Sequence, residues 1–87
     1  MDKYLIIAFK SRNELYSFAK ILRLNNVFLN IINSPKTIAS GCTLSIKTDY
    51  RFLNTINQLL LRHQPQSFIG LYSFHLTQNG NITLRLI

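Results

Sequence analysis

Apolar residues along this chain occur in short runs that predict strands. Tyr4–Phe9 is an apolar run bounded by polar residues, which is typical of a central strand buried on both faces. Val27–Ile32 is β-branched and aromatic and predicts a second strand, which Pro35 stops because proline lacks the donor that a ladder needs. Thr43–Lys47 alternates between polar and apolar positions and predicts a third strand with its apolar residues facing inward.

Two segments with helical spacing complete the first part of the pattern. Ser11–Glu14 forms a capping box, in which the serine hydroxyl accepts from a backbone amide and the glutamate reaches back to the cap. This first helix ends at Asn25 and Asn26, and the second is capped by Thr48 or Asp49 and ends before Pro65. The predicted buried stripes are Leu15, Phe18, Ala19 and Leu22 in the first helix, and Phe52, Ile56, Leu59 and Leu60 in the second.

The end of the chain predicts a hairpin. Phe68–Leu76 is the fourth strand, and Asn79-Gly80 is a type I′ turn signal that leads into a fifth strand from Ile82 to Leu86. The order is therefore β-α-β-β-α-β with an extra C-terminal edge strand. This order predicts an α+β, ferredoxin-like sandwich, with two helices on one face of an antiparallel sheet. A chain of 87 residues suits one such domain, residues 1–87.

Composition and charge narrow the class of protein. Hydrophobic residues make up 47% of the chain and charged residues only 15%, so a disordered chain is excluded. Ten Lys and Arg against three Asp and Glu give a net charge of +7, which favours an anionic partner. Nucleic acid, an acidic protein, a membrane surface and a small anion all meet that description.

Other counts exclude several kinds of site. The single cysteine, Cys42, cannot form an internal disulfide, which indicates a reducing compartment and a cytoplasmic protein. His63 and His75 lie far from each other and from Cys42, so we expect no metal site. No apolar run is long enough to span a membrane. Without paired carboxylates, a phosphate-binding glycine loop or a nucleophile with an identifiable base, we expect a carrier or binding protein without a cofactor, rather than an enzyme.

The predicted topology gathers positive charge around the cysteine. In a ferredoxin-like sheet the ends of the first two strands and the starts of the next two share one edge, where the first helix begins and the second ends. Positive side chains and a helix N-terminus stabilise a thiolate, the nucleophilic form of cysteine, and the backbone amides before Cys42 are placed to hold an anion. The residues predicted to surround Cys42 are Lys10, Arg12, Lys36, Ser40, Gly41, Arg62 and His63.

The segment before the third strand contains Ser34-Pro35-Lys36, Ile38-Ala39-Ser40 and Cys42. With these residues in this order the chain resembles a family of small bacterial selenium or sulfur carrier-like proteins, and the likeness covers roughly residues 3–73. The resemblance implies that Cys42 holds sulfur or selenium as a persulfide-type adduct, taken from a donor protein and handed to an acceptor protein. The chain departs from the family at Thr43, where a glycine is common.

Three alternative interpretations remain open from the sequence. The first is that Cys42 is an inert cysteine that packs as a small hydrophobic residue at the start of a strand. A basic ferredoxin-like sheet also binds RNA when aromatics on its first and third strands stack on bases, but Thr43–Lys47 contains no aromatic residue, so nucleic acid is not favoured. The strands that are apolar on both sides predict a protein-interaction domain, in particular a homodimer through the sheet face opposite the helices.

Overall fold

The computed structural model describes residues 3–34, 44–76 and 82–86, with only the backbone described for 75–76 and 82–86. The predicted elements that fall within these residues are present. In chain order they are β1 (Lys3–Phe9), α1 (Arg12–Leu24), β2 (Leu29–Asn33), β3 (Leu44–Asp49), a short 3-10 helix (Tyr50–Phe52), α2 (Leu53–His63), β4 (Phe68–Leu76) and β5 (Ile82–Leu86). The predicted Asn79-Gly80 turn lies outside the described residues.

The strands form one five-stranded antiparallel sheet in the order β2-β3-β1-β4-β5. β1 is central, as its apolar run predicts: Ile7 pairs with Ile46 on one side and with Leu71 on the other. Residues 5–9 of β1 are all buried, because the strand has neighbours on both edges and apolar side chains on both faces. The α+β class and the two helices are therefore confirmed.

Both helices contribute to one apolar core on one face of the sheet. Alternate residues of β1 point into this core, where they meet the apolar stripe of each helix. Burying one Leu, Ile or Phe side chain stabilises a fold by about 1.5–3 kcal/mol, so this shared core is the main source of stability. Its buried members from β1 and the helices are Leu5, Ile7, Phe9, Leu15, Phe18, Ala19, Leu22, Ile56 and Leu59.

The ends of α1 follow the sequence signals, with one correction. The Ser11 hydroxyl accepts a 3.3 Å hydrogen bond from the Glu14 amide, as the capping motif predicts. The Glu14 carboxylate, however, binds two amides elsewhere and does not complete the box. At the other end Asn26 has φ 62° and the Val27 amide donates to Leu22. The helix end thus uses the Val27 amide, and β2 begins at Leu29, two residues later than predicted.

The second helix is bounded by an aspartate and a left-handed residue. Oδ1 of Asp49 accepts a 2.8 Å bond from the Arg51 amide and caps the 3-10 turn that leads into α2. Gln64, with φ 43°, ends the helix one residue before Pro65. Of the predicted stripe, Ile56 and Leu59 are buried. Phe52, which lies in the 3-10 helix, and Leu60 are only partly buried, so the predicted stripe is less completely covered than expected.

The sheet face opposite the helices has its own small apolar cluster. Ile6, Ala8 and Phe74 are buried there, with Tyr4, Ile32, Ile69 and Tyr72 packed around them. The Tyr4 and Phe74 rings stack at a centroid distance of 5.2 Å. The Lys47 ammonium lies 4.4 Å from the centre of the Tyr4 ring. Part of the apolar surface of this face is thus already covered within a single chain.

Candidate functional site

Several strand ends and helix ends meet at one edge of the sheet, which we call the rim, as the sequence predicts. Phe9 at the end of β1 pairs with Phe68 at the start of β4. Asn33 at the end of β2 pairs with Leu44 at the start of β3. α1 begins directly after β1, and α2 ends directly before β4. The rim therefore carries four strand ends, the N-terminus of α1 and the C-terminus of α2.

Four of the predicted site residues lie on described elements at the rim. Lys10 follows β1, and its amide donates a 2.8 Å hydrogen bond to the Ser67 carbonyl just before β4. Arg12 is the first residue of α1. Arg62 and His63 occupy the last turn of α2, where positive charge suits the negative end of the helix dipole. All four side chains are exposed, and none forms an ion pair within the described part of the chain.

The other predicted site residues, Lys36, Ser40, Gly41 and Cys42, lie outside the described residues. The ends of the segment that contains them are at the rim. Ser34, the last described residue before it, has its Oγ 2.7 Å from Oγ of Ser45, which is buried on β3. This hydroxyl contact, together with the Asn33–Leu44 pairing, holds the end of β2 against the start of β3. The described residues on both sides of residues 35–43 are therefore at the rim.

Glu14 is a rim residue that the sequence predicted to complete the capping box of α1. Its Oε1 accepts a 2.6 Å bond from the Ser67 amide, and its Oε2 accepts a 3.2 Å bond from the Gln66 amide. These hydrogen bonds connect the first turn of α1 to the segment between α2 and β4. The capping motif showed that Glu14 would accept backbone hydrogen bonds, but not which ones.

The contacts of Glu14 change its acidity. The pKa of its carboxyl is lowered from 4.5 by the Ser67 hydroxyl, by the Ser67 amide and, to a smaller extent, by the Gln66 amide, while desolvation opposes the shift. By distance and angle the buried Ser67 hydroxyl makes no hydrogen bond, so the two amides are the firm contacts. Glu14 is thus ionised at neutral pH and partly offsets the positive charge of the rim.

We expect Glu14→Gln to lower thermal stability at pH 7 and to have little effect in acid. Because the folded-state pKa lies below the unfolded value, the contribution of the carboxylate is complete above the unfolded pKa. That contribution is lost as pH falls through the folded pKa. Melting temperatures measured by circular dichroism should differ between the two proteins at pH 7, and the difference should shrink as the pH falls through the folded pKa of Glu14. The exposed neighbour Asn13, changed to Gln, provides the control, and a difference that persists in acid would contradict the assignment.

Charges of both signs lie at the rim. The N-terminus of α1 presents positive partial charge there and Lys10, Arg12 and Arg62 add full positive charges, while the C-terminus of α2 and the Glu14 carboxylate are negative. Among the described residues no group of His, Cys, Asp and Glu is arranged to hold a metal ion. As far as the described residues extend, neither helix is both long enough and apolar enough to cross a membrane.

Fold and rim together define a small α+β domain whose single cysteine belongs to a segment that begins and ends at a positively charged sheet edge. The sequence profile of a family described as "Putative Se/S carrier protein-like" matches residues 3–72. The chain belongs to this family, in agreement with the resemblance seen in the segment around Cys42. Searches of curated proteins and of solved structures give no match.

Proposed function

We propose that this protein carries sulfur or selenium on Cys42 and delivers it to an acceptor protein. The observation that carries the proposal is the family membership over residues 3–72, a range that includes the cysteine. The sequence adds a second argument. Cys42 precedes Leu44 by two residues, and Leu44 is at the rim.

We also infer that the sheet is of the ferredoxin-like type. Its strand order supports this inference, because β1 and β2 flank β3, while β3 and β4 flank β1. Each β-α-β unit is thus split by a strand from the other unit, which is the arrangement that the order of elements predicts. In such a fold the segment between β2 and β3 and the junction before β4 share an edge. This shared edge brings the cysteine segment and the cationic helix ends to the same side.

The transfer step follows ordinary thiol exchange. The Cys42 thiolate attacks the terminal sulfur of a persulfide on the donor protein, and a new sulfur–sulfur bond forms as the donor's own sulfur–sulfur bond breaks. The donor leaves as a thiolate, the proton stays on the transferred sulfur, and no external oxidant or reductant is consumed. The same exchange from Cys42 to a thiol of the acceptor completes delivery. A selenium adduct moves by the same bond changes.

The cations assist by stabilising negative charge. Both the thiolate and the ionised persulfide are anions, so Lys10, Arg12, Arg62 and Lys36 favour them over their protonated forms. We assign the backbone amides of Ser40 and Gly41, together with His63, to the same anion as hydrogen-bond donors. The role is that of a stoichiometric carrier, rather than an enzyme with turnover. A reducing compartment such as the cytoplasm suits a free carrier thiol.

The proposal predicts a reactive thiol. We expect iodoacetamide to alkylate Cys42 severalfold faster at pH 7 than it alkylates a free cysteine model, because the rim stabilises the thiolate. Arg12→Gln and Arg62→Gln should each slow the reaction. Arg23→Gln, in the last turn of α1 at the far edge of the sheet, is the matched control and should leave the rate unchanged. A wild-type rate equal to that of the model thiol would rule out an activated carrier cysteine.

A homodimer through the face opposite the helices is a further proposal on partners. Tyr4, Ile32, Ile69 and Tyr72 are only partly buried there and offer apolar surface to a second copy. The burial of Ile6, Ala8 and Phe74 within one chain reduces the area that remains. Light scattering at high micromolar concentration distinguishes a dimer from a monomer.

Nucleic acid is the less supported alternative. The described strand β3 carries no aromatic side chain, and the Tyr4 ring is already in contact with Phe74 and Lys47. Base stacking on this face would have to compete with those contacts. Binding of single-stranded RNA that weakens steeply with salt would favour this alternative.

A further inference from the structure

One flank of α1 carries a line of positively charged side chains that the proposed carrier site uses only at one end. Positions 12, 16, 20 and 23 are spaced by four, four and three residues, so they follow one line along the helix. We call this line the basic row, and its members are Arg12, Tyr16, Lys20 and Arg23, all of them exposed. The row is about 16 Å long and runs from the rim to the last turn of α1.

The basic row ends at a groove that contains an exposed aromatic ring. Phe28 is 75% exposed, and its ring contacts the Phe52 ring edge-on at a centroid distance of 6.4 Å. Most of the Phe28 ring is therefore accessible, beside an arginine that lines the same groove. The groove has a volume of about 350 Å³, and its lining residues are Arg23, Asn26, Val27, Phe28 and Leu29.

Neither of the two acidic residues that the structure describes belongs to the basic row. Glu14 follows Arg12 by two positions, about half a helical turn, and its carboxylate accepts from two amides before β4. Asp49 lies at the end of β3 near the groove, where its carboxylate caps the Arg51 amide and offsets the charge of that arginine. Asp2, the remaining acidic residue, lies outside the described residues. The row thus presents three positive charges along one exposed face, which favours a partner with negative charges in a line.

We propose that α1 binds single-stranded nucleic acid along the basic row, with phosphates at Lys20 and Arg23 and a base stacked on the Phe28 ring. Lysine and arginine contact the phosphates of such strands, and every base has a face that stacks on an aromatic side chain. Tyr16, which is 48% exposed within the row, offers a second ring. This proposal does not depend on the carrier function.

The surface of α1 matches an unpaired strand better than it matches other anions. A duplex keeps its bases stacked on one another, and a carboxylate-rich protein surface would use the cations but not the ring. A second copy of the chain would bring further cations to the row. On the sheet face opposite the helices, the Tyr4 ring is already in contact with Phe74 and Lys47. The helix, rather than that face, therefore offers an accessible ring beside cationic side chains.

The test measures binding of a fluorescent uridine oligonucleotide of about 10 nucleotides to the full chain by fluorescence anisotropy. An abasic strand of the same length carries the phosphates without bases, and a polyglutamate peptide of equal charge represents an acidic protein. We expect the uridine strand to bind at least about fivefold more tightly than either, since stacking of one base has at least that effect. Equal binding of the three probes would overturn the proposal, because it would show a response to charge alone. Equal binding of a thymidine deoxyoligonucleotide would extend the site to DNA, and weaker binding would restrict it to RNA.

Substitutions in the basic row test where the phosphates lie. Each contact with a phosphate of a single strand contributes about 0.7 to the slope of log affinity against log salt concentration. Lys20→Gln and Arg23→Gln should each lower that slope by about this amount. Lys47→Gln makes the same change on the sheet face opposite the helices and should leave the slope unchanged. Equal effects of Lys47→Gln and Lys20→Gln would place the strand on the sheet face and overturn the proposal.

Phe28 has a matched control in Leu61, which is 74% exposed on α2. We expect Phe28→Ser to weaken binding of the uridine strand at least about fivefold and to leave binding of the abasic strand unchanged. Leu61→Ser should change neither, and Phe28→Tyr, which keeps an aromatic ring, should bind as the wild type does. Equal losses with Phe28→Ser and Phe28→Tyr, or with Phe28→Ser and Leu61→Ser, would contradict stacking on Phe28.

The strand-binding proposal and the carrier proposal fail separately. Cys42→Ser should bind the uridine strand as the wild type does, because the basic row and Phe28 do not include the cysteine. A reactive Cys42 in a protein that does not bind the strand would refute the strand-binding site alone. An unreactive Cys42 with intact strand binding would refute the carrier alone.

Discussion

Wild-type protein incubated with a low-molecular-weight persulfide should gain the mass of one sulfur atom, and Cys42→Ser should gain nothing. The chain has one cysteine, so a sulfane sulfur has one thiol on which to reside. Intact-mass spectrometry measures the adduct directly, and a reductant should remove it because the new bond is a sulfur–sulfur bond. The same protocol with a selenium donor distinguishes the two cargoes by mass.

A second substitution tests the residue that follows the cysteine. Thr43→Gly introduces the residue that is common at this position in the family, and the proposal expects adduct formation to be retained or to become faster. An adduct of equal yield on Cys42→Ser would show that the label is not on the thiol. Absence of an adduct on the folded wild type, under conditions that load a simple thiol, would contradict the carrier function.

Phe18→Ala should destabilise the domain by about 3–5 kcal/mol, which is the usual cost of removing a buried phenylalanine ring. Phe18 is 2% exposed in the helix-side core, and its ring centroid lies 5.6 Å from that of Phe9 on the central strand. Total stabilities of small domains are about 5–15 kcal/mol, so this single change removes a large share. Urea unfolding followed by circular dichroism gives the difference.

Tyr16 provides the control because it is an aromatic residue of the same helix that is 48% exposed. Tyr16→Ala should change stability by no more than about 0.5 kcal/mol, the usual range for surface positions. If Phe18→Ala does not fold, Phe18→Leu keeps most of the apolar volume and should still be less stable than Tyr16→Ala. Equal stability of the Phe18 and Tyr16 variants would contradict the assignment of the core.

The helix boundaries were predictable because they depend on neighbouring residues. Ser11 caps α1, Asp49 caps the turn into α2, and Gln64 ends α2 just before Pro65, all through contacts within a few positions along the chain. The central place of β1 was also predictable, since an apolar run with no polar face fits only a strand covered on both sides.

The partners of Glu14 and the start of β2 were not predictable in this way. Glu14 accepts from amides that lie 52 and 53 positions further along the chain, and only the packing of α1 beside the start of β4 makes that contact. The Val27 amide is equally suited to a strand ladder or to a helix end. In the folded chain it donates to the Leu22 carbonyl at the end of α1.

Sequence alone determined the order of elements, the α+β class, the excess of positive charge and the family to which Cys42 points. These properties are set by residue type and by spacing along the chain. The predicted topology also brought Lys10 and Arg12 to the same edge as Arg62 and His63. The tertiary structure decided that the Glu14 carboxylate accepts from the Gln66 and Ser67 amides, and that the Val27 amide bonds to the end of α1. The physical reason is that antiparallel pairing and helix packing bring together residues that are distant along the chain. The spacing of residues within one helix or strand does not show which residues of another element they will contact.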